Sequence, residues 1–285
     1  MAGLFARSLS GLPEVRAGDD LAALIVDALA REHEQPSGRE QLFGHEQPSG
    51  PLHDEQVVVI AHKVVSKAEG AVVALGDVTP GARARELAAK QDKDRSEIGR
   101  RTVQVVLDQS AEILRAANGV LISRTHHGFV CANAGVDASN AAREGGATAA
   151  GIGAGETLIL LPRDPDASAR ALRARLRELT GASPAVLITD SFGRAWRHGQ
   201  CDVAIGCAGM SPLDDWRGRT DSVGRELHAT WLAVADGAAA TADLARAKDS
   251  REPVVLIDGL ERFITAADGP GAAALLRPLA EDLFR

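Results

Sequence analysis

Apolar positions along the chain recur with two different periods. Residues 21–29, 83–90 and 103–115 carry their apolar side chains at helical spacing. A longer helix is predicted over residues 166–179, with Pro165 at its opening position. Between them lie apolar runs of strand length: QVVVIAHKVVS (56–66), VLIS (120–123), FVCANAG (129–135), TLILLP (157–162), AVLITD (185–190) and DVAIG (202–206). Residues 229–235 read as another strand, 237–248 as a helix and VVLID (254–258) as a last core strand. Strands and helices intermixed without strict βαβ repetition predict an α/β, or mixed α+β, fold.

Two segments break this pattern. HEQPSG occurs at 33–38 and again at 45–50, so a polar insert is expected over about 31–54. It holds His33, His45 and His53, which read as solvated loop residues in preference to a metal tract. The small-residue run EGGATAAGIGAGE (144–156) marks a second insert over about 142–156. It does not have G-x-G-x-x-G spacing, and a strand follows it where a phosphate loop should open a helix.

Composition narrows the function. The formal net charge is −7 and aromatic residues make up 3% of the chain, with no Tyr. Neither an overall basic field for nucleic acid nor a set of stacking platforms is present. No apolar stretch is long enough to span a bilayer, and the N-terminus lacks a secretory pattern, so a cytoplasmic protein is expected. Cys131, Cys201 and Cys207 are odd in number and lack C-x-x-C spacing, which predicts free thiols in place of disulfides or structural zinc.

Three segments carry candidate chemistry. In HGFVCANAGVDASN (127–140), small residues surround Asp137. That carboxylate and the Asn140 amide suit a divalent cation and a nucleotide, or else an Asx turn. In LITDSFGRAWRHG (187–199), Asp190 is predicted at a strand end with the Ser191 hydroxyl beside it. Such a pair can hold Mg²⁺ in phosphoryl transfer, or it can cap a helix start. Arg194, Arg197 and His198 follow as candidate anion contacts, and Arg217, Arg219 and Arg225 form a second such group. In HKVVSKAEG (62–70), Lys67 is placed to neutralise a phosphate or to remain a solvated cap. No P-loop or G-x-S-x-G signature occurs.

Together these segments resemble the coenzyme F-420-0:L-glutamate ligases, the gamma-glutamyl ligase family. The resemblance runs from GLPEVRAGDDLAALI (11–25) through VVSKAEG (64–70), NAGVDASN (133–140), LLPRDPDASA (160–169) and TDSFGRAWRHG (189–199). It continues through AIGCAG (204–209), DWRGRTDSVGREL (215–227) and the C-terminal DGPGAAALLRPLAEDLFR. It implies an F-420 gamma-glutamyl ligase-like fold, intertwined as a homodimer, with a single ligase unit over 1–285 and no fused flavin-binding domain. It also implies GTP as co-substrate, Mg²⁺ or Mn²⁺ as metal with K⁺ as a further cation, and the coenzyme precursor and L-glutamate as substrates. By this likeness Asp137 and Asp190 are metal ligands, and Ser191 occupies the place of a second-metal ligand. Nucleotide contacts fall to Leu12, Pro13, Glu14, Val15, His62, Lys63, Lys67 and Asn140, while Lys67, Asp137 and Asp190 form the catalytic set.

The chain departs from the family pattern at several positions. Ser191 stands where threonine is usual, and His62-Lys63 where some relatives carry small hydroxyl residues. Asp236-Gly237 replaces Asp-Glu. Lys248 lies near a position that supplies a second-metal or nucleotide contact in some relatives, and a charged lysine cannot ligate a metal. Two further readings remain open: a related carboxylate–amine ligase acting on another acid, and a coenzyme-binding homologue without catalysis.

Overall fold

A five-stranded mixed sheet organises the first of two units in the computed structural model, which describes residues 3–34, 52–90, 96–138 and 157–282. Its strands are β1 (Phe5–Leu9), β2 (Val57–Ala61), β8 (Ala185–Arg194), β9 (Arg197–Ala208) and β12 (Val254–Asp258), in the spatial order β1-β12-β2-β8-β9. β12 is antiparallel to both β1 and β2, whereas β2 and β8 run parallel with Ala61 opposite Thr189. Both β2 and β12 are buried along nearly their whole length, as continuous β-branched runs require when both sheet faces are covered. Val57, Val59, Leu187, Val255 and Ile257 form one core with Ala235, Ala238 and Ala242 of helix α6 (Val234–Ala245). Helices α1 (Leu21–Glu34) and α5 (Pro165–Thr180) and the paired strands β10 (Leu213–Asp215) and β11 (Trp231–Ala233) also belong to this unit.

Helix α5 (Pro165–Thr180) shows how local sequence sets element ends. The Asp164 carboxylate accepts the Ala167 N–H, Pro165 fills the first turn, and Gly181 closes the helix in a left-handed conformation (φ 81°). Each device satisfies or removes an otherwise orphaned backbone group.

The second unit comprises residues 66–163 and 192–200. It holds strand β3 (Val72–Ala74) antiparallel to β7 (Thr157–Ile159), and a three-stranded sheet of β4 (Ser110–Ala117), β5 (Val120–Thr125) and β6 (Val130–Ala132). Helices α3 (Ala82–Lys90) and α4 (Glu97–Asp108) supply Leu87 and Val106 to a core shared with Leu121 and Ala134. Helix α2 (His62–Ala68) carries the chain from the first unit into the second.

Several predicted elements are corrected. The run 56–66 is strand only to Ala61; where the ladder with β8 ends, the chain turns into α2. Residues 103–115 are not one helix. α4 stops at Asp108, and Ile113 pairs with Ser123 in β4. Asp190 does not end its strand, because β8 continues to Arg194 before a two-residue turn at Ala195 and Trp196. That also removes the capped-helix reading of the Asp190–Ser191 pair. Helix α1 extends to Glu34 and so takes in residues 31–34 of the expected polar insert. The remainder of that insert up to residue 51, and the small-residue run 144–156, lie outside the described residues. All three cysteines are free, and burial pushes the Cys207 thiol up to about 12. No described helix is long and apolar enough to cross a membrane.

Candidate functional site

The parallel pairing of β2 with β8 brings two sequence-predicted residues together. Since Ala61 faces Thr189, the next residues on each chain, His62 and Asp190, leave the ladder side by side. The His62 ring is 2% exposed and its Nε2 stands 3.3 Å from Asp190 Oδ1. The same carboxylate oxygen accepts the Ser191 N–H at 2.8 Å. Asp190 thus has a buried imidazole at close approach on one side, and the backbone N–H of Ser191 holds it on the other.

One step further along β8, an acid that sequence reading missed organises the polar groups. Asp202 on β9 is 1% exposed and divides its two oxygens between hydroxyls of β8. Ser191 Oγ donates to Oδ1 at 2.5 Å, and Thr189 Oγ1 donates to Oδ2 at 3.0 Å. Residues two apart on a strand share a face, which is why one carboxylate serves both. Arg246 donates to Asp202 Oδ2 at 2.5 Å and to the Pro253 carbonyl at 2.9 Å. Burial alone would raise the Asp202 carboxyl. The Ser191 hydroxyl, Arg246, Lys248 and Thr189 outweigh it and hold the group below the ordinary carboxylate range.

Lys248 completes the cluster from the turn after α6. Its Nζ donates to Ser191 Oγ at 2.8 Å and to Asp243 Oδ1 at 2.7 Å, and lies 3.6 Å from Asp202 Oδ1. Burial depresses the ammonium, and the two carboxylates more than offset that, so its titration lies above the usual lysine value.

The other expected residues stand as follows. Leu12, Pro13, Glu14 and Val15 occupy the connection from β1 to α1, where Val15 alone is buried. Lys63 is half-buried in the first turn of α2, and Lys67 in its last turn, within the second unit. Asp137, also in the second unit, is pinned by reciprocal backbone hydrogen bonds with Ile159 of 2.8 and 2.9 Å. Just before it, Asn133, Ala134 and Gly135 are all left-handed, with φ of 51°, 54° and 70°. Left-handed backbone costs a residue bearing Cβ about 1–2 kcal/mol, so the surrounding structure must enforce this turn. A Cβ at Gly135 would meet Leu161 Cγ at 2.8 Å. Asn140 lies outside the described residues.

Two members of the second expected anion group have partners within the chain. Arg217 is held bidentately by Asp215 and stacks 4.1 Å over the Trp231 ring, while Arg219 lies 3.4 Å from Asp214 and over Trp216. These guanidiniums are engaged by neighbouring acids and rings.

Asp202 and Arg246 were hidden because an acid inside an apolar strand reads as a polar interruption. The signal that could have found Asp202 is the alternation in DVAIG, which places it on the same strand face as Ala204.

The donor chemistry at Asp190, a hard carboxylate oxygen, suits Mg²⁺ or Mn²⁺. The neighbouring Ser191 hydroxyl donates to Asp202 and accepts from the Lys248 ammonium. Among the described residues, no group of three or more His, Cys, Asp or Glu side chains is arranged to hold a metal.

Comparison with known proteins identifies the family. Residues 11–259 match the F420-0:gamma-glutamyl ligase family. A coenzyme F420:L-glutamate ligase of Methanothermobacter thermautotrophicus is 40% identical over 284 residues, covering 99% of both chains. The chain belongs to the F420-0:gamma-glutamyl ligase family. Another family member, the coenzyme F420:L-glutamate ligase of Methanopyrus kandleri, is 38% identical and matches over the full length of both chains. The coenzyme F420:L-glutamate ligase of Methanocaldococcus jannaschii is 39% identical over 82% of this chain and 86% of its own. For a gamma-glutamyl ligase family member, the resemblance read from the motifs alone is thus correct at the family level.

Proposed function

We propose that this chain attaches L-glutamate to the coenzyme F420 precursor in a GTP-dependent reaction. The observation that carries the reading is identity of about 40% across essentially the whole of both chains with a relative named for that ligation. A carboxylate and an amine do not condense in neutral water, so the acid must first be activated. In the proposed sequence a precursor carboxylate oxygen attacks the γ-phosphorus of GTP and displaces GDP, giving an acyl phosphate. The glutamate amine then attacks the acyl carbon, phosphate departs, and the nitrogen gives up a proton to leave an amide.

Asp190 and Asp137 are the residues proposed to hold Mg²⁺ or Mn²⁺. When bound, the metal supplies positive charge against the triphosphate oxygens. His62, whose ring is buried beside the Asp190 carboxylate, is a further proposed nucleotide contact. Lys63, Lys67, Asn140 and the backbone of residues 12–15 are the proposed nucleotide contacts. The homodimer, K⁺ and a cytoplasmic setting belong to the same proposal.

Incubating the pure protein with GTP, Mn²⁺, L-glutamate and the glutamate-free precursor, followed by mass spectrometry, tests it. The expected product is the precursor extended by glutamate, with GDP and phosphate released in equal amounts. No mass gain, with GTP intact, overturns the reading. Phosphate release and amide formation only with a different acid would replace the substrate and keep the ligase chemistry. Light scattering on the same sample tests the dimer.

A further inference from the structure

Ser191 stands beside Asp190, and a hydroxyl there invites the reading of a second metal ligand. Its surroundings argue otherwise. The hydroxyl proton is committed to Asp202 Oδ1 at 2.5 Å, and the oxygen accepts Lys248 Nζ at 2.8 Å. That ammonium is itself fixed by Asp243 Oδ1 at 2.7 Å and lies 3.6 Å from Asp202. Two carboxylates, Asp202 and Asp243, thus face two cations, Arg246 and Lys248, which leaves Asp190 as the carboxylate beside Ser191 that these cations do not engage. A divalent ion on Ser191 Oγ would bond an oxygen already in contact with an ammonium, and would meet that repulsion with Asp202 and Asp243 already committed to Arg246 and Lys248. Lys248 is nonetheless 67% exposed, so its ammonium also faces solvent, where a substrate oxyanion can approach.

We infer that the Lys248 ammonium takes the place of a metal ion at Ser191, so that Asp190 is a metal ligand and its neighbour is not. The inference rests on the proposed metal role of Asp190, and it assigns Lys248 as a charge-bearing residue of that same site.

Counting Mn²⁺ per chain tests it, using the electron paramagnetic resonance signal of free Mn²⁺ with no nucleotide present. Wild type, Asp190→Asn, Ser191→Ala and Lys248→Met are compared, with circular dichroism melts confirming that each variant is folded. Ser191→Ala is expected to bind as many ions as wild type, with affinity within about twofold. Asp190→Asn is expected to lose an ion. Lys248→Met, which removes the charge but keeps the chain length, is expected to admit one more, because Ser191, Asp202 and Asp243 are then left facing a vacated cation position. A count that falls in Ser191→Ala, or stays at the wild-type value in Lys248→Met, overturns the inference. Binding that Asp190→Asn leaves intact overturns the metal reading of Asp190, and this inference with it.

Discussion

At the scale of single residues, the site is built from groups whose charge state the fold controls. Lys67 ends a helix that starts beside Asp190, and its proposed task is to offset charge as phosphate is transferred. Lys67→Ala should then lower kcat by about 10²–10³ while changing the KM for GTP much less, since a donor used in the transition state affects turnover first. Steady-state kinetics with GTP varied at saturating glutamate checks this, and an unchanged kcat removes Lys67 from the chemistry. Asp236 in the first turn of α6 gives a prediction about stability. Burial raises its carboxyl above the ordinary value, and only the Ala204 N–H at 2.9 Å acts in the other direction. A carboxyl raised in the folded state favours folding below its unfolded value, and this contribution is lost as pH rises through the folded value. Asp236→Asn keeps an oxygen for the Ala204 N–H and cannot ionise. Its Tm should match wild type in strong acid and exceed it at neutral pH. A Tm measured against pH that shows the reverse order at neutrality would mean the carboxylate has a charged partner.

At the scale of elements, buried polar ties hold the helices in place. Arg173 of α5 donates to the carbonyls of Ser183, Pro184, Thr265 and Ala266 and to the Asp268 carboxylate, at 2.8 to 3.3 Å. The approach is possible because residue 209 is glycine, at φ 78°, where a Cβ would lie 2.4 Å from Arg173 Nε. Arg173→Met leaves those acceptors without their donor. A loss of about 3–5 kcal/mol is expected, which in a chain of this size lowers Tm by about 10 °C or more, read by calorimetry. Elements defined by their own apolar run, such as β2, β12 and α5, were legible in the sequence. β1 was not, because FARSL is an edge strand with weak alternation, and its partner lies at the far end of the chain. The helix–strand boundary after Asp108 was lost because the apolar spacing of 103–115 satisfies a helix even though Ile113 is claimed by β5. The site divides in the same way. Asp190 and Ser191 were visible in one contiguous motif, whereas Asp202 gains its meaning only from Arg246 and Lys248, brought in from beyond α6.

At the scale of the whole molecule, the principal sheet is assembled from both ends of the chain. β2 has β12 on one side and β8 on the other, and both follow residue 163. A fragment of residues 1–163 would leave Val57–Ala61 unpaired along both edges. The amides of Val57–Ala61 in that fragment should exchange with solvent without protection, whether or not the second unit melts cooperatively, and protected amides there would contradict this sheet order. The pairing of Phe5 with Asp258 has a further consequence during synthesis on the ribosome. The first strand to emerge must wait for nearly the last, and the apolar Val57–Ile60 segment waits beside it with both backbone edges open to other chains. The β4–β5 hairpin needs only neighbours in sequence and can close early, whereas the His62–Asp190 contact needs β8, and the complete central sheet needs β12 as well. The Asp202 cluster, which needs Arg246 and Lys248, is therefore among the last parts to take shape, and chaperone dependence should concentrate on the interval when β2 has been made and β12 has not.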